Sequence, residues 1–307
     1  MIQQEFPQFV AAGEALTDMI REGGQRWISQ VGGSTWNVAR VMAKLGVSSA
    51  FAGAISTDVF GDALWDASAE AGLDLRFLQR VSKSPLLAMV PETAPPHYFF
   101  VGDDSADLYF EQQQLPQQWM EHCKWVHFGG ISLAREPLAG HLVSLAKSLK
   151  ENGVKISYDP NFRNLMDQHY DPTLRQMVEL ADVVKVSDED LVGLFRSEDS
   201  HASFALMQSW NPAASYLYTK GEHGASFHQG SEQWQLAAPQ IEVVDTVGAG
   251  DASIAALIFS LLRDPHANGL QHLRFAVAGG AIACQGAGAS PPDLAGINAL
   301  LQKMPLT

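Results

Sequence analysis

Short apolar runs rich in β-branched and aromatic residues recur along this chain, and no other feature limits its fold as tightly. The runs are Phe9–Ala12, Ala50–Ile55, Trp125–Phe128, Val154–Tyr158, Val183–Val186, Tyr216–Thr219 and Ala225–His228. Most are separated by stretches of helical period. Between the first two, Val38, Val41, Met42 and Leu45 stand at i, i+3, i+4 and i+7, and Gly46 follows as a stop, so the pattern predicts a helix over Trp36–Gly46. Strands alternating with helices specify an α/β fold, with a doubly wound, mostly parallel sheet flanked by helices. Runs such as Val183-Val184 are apolar at successive positions, as strands covered on both faces must be. The chain of 307 residues shows no repeat, low-complexity tract or linker, so it reads as one domain over 1–307.

Two stretches break this rhythm. Arg21–Gly33 is polar and turn-rich. Pro85–Phe110 contains Leu86–Val90, a turn at Pro91–Pro96 and then Tyr98–Val101, the pattern of an antiparallel hairpin. Both are expected in a small β appendage outside the parallel sheet.

Charge excludes some partners. Asp and Glu number 34 against 20 Lys and Arg, a net charge of −14. Such a surface repels phosphate backbones and anionic lipid, which argues against nucleic acid or membrane as the main partner. Cys123 and Cys284 are the only cysteines, too few for a disulfide framework or a thiolate metal site. That usage fits a reducing cytoplasmic compartment. Met1–Gln8 shows no secretion signal, and no apolar run is long enough to span a bilayer.

The sharpest local motif is Asp245-Thr246-Val247-Gly248-Ala249-Gly250-Asp251. It follows the β-like run Ile241–Val244 and precedes an apolar helical stripe through Ile254, Leu257, Ile258, Leu261 and Leu262. A Gly-rich turn opening a helix aims free backbone N–H groups at an anion. Asp251 beside it is placed to accept a proton from a hydroxyl that attacks phosphorus, with the helix dipole favouring its charged form. The bland alternative is a Gly-rich turn with an ordinary acidic helix start. No GxxxxGK[ST] loop and no GxGxxG opening is present, so Walker-type NTPases and dinucleotide oxidoreductases are disfavoured.

Weaker motifs surround it. Gly32-Gly33-Ser34-Thr35-Trp36-Asn37 offers backbone N–H groups and an amide to a polyhydroxyl ligand, or is simply a capped loop. Gly13-Glu14 and Asp18 follow the first strand, where carboxylates can bind ligand hydroxyls or merely be solvated. In Asp159-Pro160-Asn161-Phe162-Arg163, Arg163 is able to fork onto a phosphate or carboxylate, within what is otherwise a β-turn sequence. Gly130-Ile131-Ser132 imitates a nucleophile elbow but lacks its second glycine, so a serine hydrolase requires Ser132 to be exposed.

Taken together, these motifs resemble the PfkB (ribokinase-like) family of carbohydrate kinases. Gly32-Gly33…Asn37 through Gly53…Asp58-x-x-Gly61 resembles its first signature, and Asp245–Ala252 its second. The resemblance implies an α/β sandwich with a β-sheet lid, inserted from about 14–33 and 84–111, and ATP-dependent phosphorylation of a sugar hydroxyl. It casts Asp251 as catalytic base and the N–H groups of Gly248, Ala249 and Gly250 as the hole for the moving phosphoryl group. Asp18, Gly33 and Asn37 would bind sugar hydroxyls, and Arg163 would sit near the substrate or phosphate. Lys185, Ser187, Thr219, Gly221 and Gly224 would line the nucleotide site, and Ala278–Gly288 would close over adenine. Magnesium would be held through Asp190, and a monovalent cation, K+, by Asp245 with the carbonyl of Val247. A homodimer through the lid is implied as well.

Several segments are similar to those of fructokinases, including His127-Phe128-Gly129…Ile131-Ser132-Leu133 and Val184-Lys185-Val186-Ser187-Asp188-Glu189. Three departures stand out. The family's Asn-x-x-Glu is here Ser187-Asp188-Glu189-Asp190, no Arg shortly precedes Ala106-Asp107, and the segment after Ile282 is Gly-rich. Fructose is the expected acceptor, with 2-keto-3-deoxygluconate and aminoimidazole riboside as alternatives. A non-catalytic sugar- or nucleotide-binding protein is the alternative of a different class.

Overall fold

A computed structural model describes residues 5–93 and 96–304, and it builds the expected alternation. Nine strands form one sheet: β1 (Phe9–Ala12), β4 (Ser49–Ser56), β5 (Leu78–Val81), β8 (Trp125–Gly129), β9 (Lys155–Asp159), β10 (Val183–Ser187), β11 (Ser215–Thr219), β12 (Ala225–Gln229) and β13 (Glu232–Leu236). Four more form a second sheet: β2 (Leu16–Gly23), β3 (Arg26–Gly32), β6 (Leu87–Thr93) and β7 (Pro96–Val101). The helices are α1 (Ser34–Lys44), α2 (Val59–Glu70), α3 (Trp119–His122), α4 (Leu138–Glu151), α5 (Asp171–Leu180), α6 (Asp188–Phe195), α7 (Ser200–Trp210), α8 (Ala249–Arg263), α9 (Gly269–Ala283) and α10 (Leu294–Lys303).

The large sheet runs β13-β12-β11-β10-β9-β8-β1-β4-β5, parallel except at β12, which pairs antiparallel with both neighbours. From β1 the chain winds outward through β4 and β5, then returns and winds the other way from β8. The order therefore reverses between β1 and β8, the place where open α/β sheets leave a crevice at the carboxyl ends of their strands. The carboxyl ends of β1, β4, β8, β9, β10 and β11 lie along that one edge, ending in Ala12, Ser56, Gly129, Asp159, Ser187 and Thr219. Apolar residues fill both faces, and helix α8 is enclosed from Asp251 through Ser260.

The second sheet has the order β3-β2-β6-β7. Its β6–β7 hairpin is antiparallel, as the sequence pattern requires. Of the turn expected at Pro91–Pro96, residues 94 and 95 lie outside the described residues. Arg135 pins the chain leaving this sheet: it donates to the Asp107 carboxylate and to the Gly102 carbonyl.

Three differences from the expected elements have physical reasons. Ile241–Val244 is not a strand: among the described residues no strand pairs with it, Val243 and Val244 are exposed, and the Val244 and Asp245 N–H groups donate to the Cys284 carbonyl instead. Strands β5 and β13 lie at the two edges of the large sheet, and their polar residues hide them from an apolar search. Helix α1 starts two residues early because Gly33, at φ 117°, turns the chain as its N-cap.

Candidate active site

Asp251 lies in the first turn of α8 and is 7% exposed. Both of its oxygens are held from α1. Ser34 Oγ donates to Oδ1 at 2.7 Å, and Asn37 Nδ2 donates to Oδ2 at 2.9 Å. Burial raises its pKa, against the lowering pull of Ser34, Asn37, Lys185 and Arg163. The dipole argument alone gave the opposite sign; desolvation outweighs it, and a raised pKa makes the carboxylate a stronger base.

The turn before it is built to receive an anion. Gly248 caps α8 in the left-handed region at φ 79°. A Cβ on Gly248 would stand 2.9 Å from Ala289 Cα, so only glycine fits the turn. Among the described residues the N–H groups of Gly248, Gly250 and Asp251 make no hydrogen bond. Ala249 was expected in this set, but its N–H donates to the Thr246 carbonyl at 3.2 Å.

Arg163 links this turn to the second sheet, because its charge acts on both Asp251 and Asp18. Asp18 sits within β2 rather than in a loop, and burial, countered by Arg163, raises its carboxyl to about 6. Arg163 Nη1 donates to Asn161 Oδ1 at 2.9 Å, and its guanidinium stacks 5.3 Å from the Tyr98 ring of β7. The second sheet thus touches the cleft through Asp18 and Tyr98. Gly33 is present at the mouth of α1, where a Cβ would stand 2.6 Å from the Glu14 carbonyl oxygen.

Other expected residues have different surroundings. Glu14 is 2% exposed and accepts from both the amide and the hydroxyl of Ser132, and burial pushes it up to about 7. It is a packed carboxyl group with no face toward a ligand. Ser132, fully enclosed and bound to Glu14, is no exposed nucleophile, which removes the hydrolase reading. Ser187 and Thr219 are paired neighbours at the carboxyl ends of β10 and β11, and Gly221 and Gly224 turn the chain just beyond with positive φ. Lys185 does not line an open nucleotide surface: it is 5% exposed and points under Gly250. Ala278 is fully enclosed in α9 and presents no surface to adenine.

The cation expectations fare differently. Asp190 Oδ1 accepts from the Phe162 N–H and Oδ2 from the Ser187 N–H, each at 2.8 Å, with the Ser187 side chain completing a capping box. Lys185 and these donors outweigh burial and hold the Asp190 carboxyl below its ordinary range. This carboxylate is a helix cap, with each oxygen engaged by one backbone N–H group. No group of three or more His, Cys, Asp or Glu able to hold a metal occurs among the described residues. Asp245 accepts from Val247 N at 3.1 Å and from Gly288 N at 2.8 Å, clasping the turn before α8 to the Gly-rich loop after α9.

Ser34 and Tyr98 escaped sequence reasoning. Ser34 had a usable signal, since it stands one helical turn before Asn37 and shares its face. Tyr98 had none, because only the folded second sheet brings it to Arg163.

A parallel sheet with a two-way winding, unpaired amides at a buried helix end and a shielded carboxylate beside them define a phosphoryl-transfer enzyme of the ribokinase type. The chain belongs to the pfkB family of carbohydrate kinases, which residues 9–295 match. It is a sugar phosphotransferase. It is 30% identical to the probable chloroplastic fructokinase-6 of Arabidopsis thaliana, over 85% of this chain and 72% of that one. It is likewise 30% identical to a fructokinase of Escherichia coli, over 81% of this chain and 82% of the relative. The structure superposes on the ATP-bound fructokinase of Xylella fastidiosa with a TM-score of 0.87 at 26% identity, covering 97% and 99% of the two chains. A Vibrio cholerae fructokinase solved with fructose, ADP and calcium ion gives 0.85 at 27% identity, covering 96% and 99%. Among the described residues no helix is long and apolar enough to cross a membrane.

Proposed function

We propose that this chain transfers the γ-phosphoryl group of ATP to a primary hydroxyl of fructose, with Asp251 as the base. Asp251 takes the hydroxyl proton as the acceptor oxygen bonds to the γ-phosphorus. The bond from that phosphorus to the bridging oxygen breaks, and ADP leaves. The free N–H groups of Gly248, Gly250 and Asp251 receive the charge on the equatorial oxygens as it moves. Asp18, Asn37 and Arg163 orient the sugar, and ATP lies across Ser187, Thr219 and Gly221. The observation that carries this reading is the pairing of one shielded carboxylate with unpaired amides at the same helix end. A protein that only binds sugar has no use for that pair. The fructokinase relatives support fructose over the other acceptors.

The second sheet serves as the lid. Phe99 and Val101 of β7, one strand period apart on one face, are 50% and 49% exposed and form the surface through which two copies pair.

An ADP-release assay over fructose, 2-keto-3-deoxygluconate and aminoimidazole riboside tests the reading. We expect fructose to give the highest kcat/KM and Asp251→Asn to lose at least about a thousandfold in kcat while still binding fructose. Tenfold preference for another acceptor overturns fructose, and an active Asp251→Asn overturns the base.

A further inference from the structure

Lys185 occupies the middle of β10, where Val183, Val184 and Val186 beside it are buried. Its Nζ lies 3.0 Å from Asp159 Oδ2 and 3.6 Å from Asp190 Oδ2. A Cβ built on Gly250 would stand 3.1 Å from that same nitrogen. The ammonium therefore rests directly under the turn whose amides are unpaired, and Gly250 interposes no side chain.

The groups around it define its charge. Asp159 faces it from the end of β9, Asp190 from α6, Asp251 from α8 and His127 from β8. Burial works against the ammonium, but the three carboxylates outweigh it, and Lys185 is held above the ordinary lysine range. His127 stays neutral, pulled down to about 3 by burial and then by Lys185. Burial raises Asp159 to about 7, with Lys185 opposing.

A buried ion pair is a poor source of stability, because desolvating both partners consumes most of the attraction. Its position suggests a use beyond packing. We propose that Lys185 is a positioning residue for phosphoryl transfer: clamped from below by Asp159 and Asp190, it sets a fixed positive charge beneath Gly250 and Asp251. That charge favours the ionised form of Asp251 before the reaction and the arriving phosphoryl oxygens during it. Arg163 and the α1 donors Ser34 and Asn37 are the other groups that favour the ionised Asp251. The inference rests on Asp251 being the base.

The test compares Lys185→Met, Lys185→Arg and the double variant Lys185→Met/Asp159→Asn, which removes the nearer of the two carboxylates that the first would strand. We expect Lys185→Met and the double variant each to lose ten- to a hundredfold in kcat. The KM for fructose should stay within threefold, and the acid limb of the kcat–pH profile should move to higher pH by about one unit in Lys185→Met and by less in the double variant, which also loses the Asp159 charge coupled to Asp251. Lys185→Arg, which keeps the charge, should recover most of kcat. If the double variant instead shows wild-type kcat and an unmoved acid limb, Lys185 only neutralises Asp159 and the proposal fails. A loss in kcat with the limb unmoved in both variants also overturns it, because that is what a packing defect produces. An active Asp251→Asn variant separately removes the base on which the inference depends.

Discussion

Asn37 donates its amide to Asp251 at 2.9 Å across 214 positions of sequence, joining α1 to α8. With Ser34 one turn earlier, it leaves the Asp251 carboxylate a fixed orientation and no freedom to swing away. The two donors also oppose the desolvation that raises the Asp251 pKa. Helix α1 therefore sets both where the base points and how basic it is.

Removing either donor should separate these effects. Hydrogen bonds to a charged group contribute about 1.5–3 kcal/mol, so Ser34→Ala and Asn37→Leu should each reduce kcat by roughly ten- to a hundredfold. Loss of a donor disfavours the charged carboxylate and raises its pKa further. Activity in both variants should then fall off at higher pH on the acid side than in the native enzyme. A kcat–pH profile from pH 5 to 9 reads this directly, and an unchanged acid limb contradicts the arrangement.

Gly248→Ala tests the turn itself. The substitution forces a left-handed alanine, costing about 1–2 kcal/mol, and drives its Cβ against Ala289. Relief requires the turn to unwind, which moves the free amides of Gly248 and Gly250. We expect kcat to drop about a hundredfold or more while the melting temperature falls by only a few degrees. A variant with native kcat shows that the amides do not touch the moving group.

Much of this was legible in the sequence because the responsible signals are local. The run Phe9–Ala12 reads as a strand and is one, and the apolar stripe behind Asp251 reads as a central helix and is enclosed. Relations across the fold were not legible. Asp190 resembles a metal-site carboxylate by its place in a motif, yet Phe162, from a loop 28 residues away, donates to one of its oxygens. Glu14 and Ser132 each look functional alone, and packing makes them buried partners of one another. Ile241–Val244 has strand composition, but a strand exists only where a neighbour pairs with it.

The exposed pair on β7 gives an assembly test. Phe99→Asp with Val101→Asp places two charges on the face proposed to join two copies, and desolvating them at an interface is costly. Light scattering should find the native chain as a dimer and this variant as a monomer of unchanged circular dichroism. A native monomer, or a variant that still pairs, excludes β7 as the contact.

Glu14 predicts how stability depends on pH. Burial lifts its carboxyl from 4.5 to about 7, so the folded chain keeps a proton that the unfolded chain releases. Stability is unaffected by this group below pH 4.5, falls as pH rises from there to about 7, where the unfolded chain has released the proton that the native chain keeps, and is level above that. The shift corresponds to ~3 kcal/mol lost by pH 8. Glu14→Gln keeps an oxygen acceptor for the Ser132 amide and removes the titration. Urea unfolding at pH 5 and pH 8 should show native stability declining between the two, with the variant gaining on the native chain by a similar amount over the same interval. A difference between the two proteins that stays constant with pH means that Glu14 is ionised in the fold at both, held so by the two Ser132 donors.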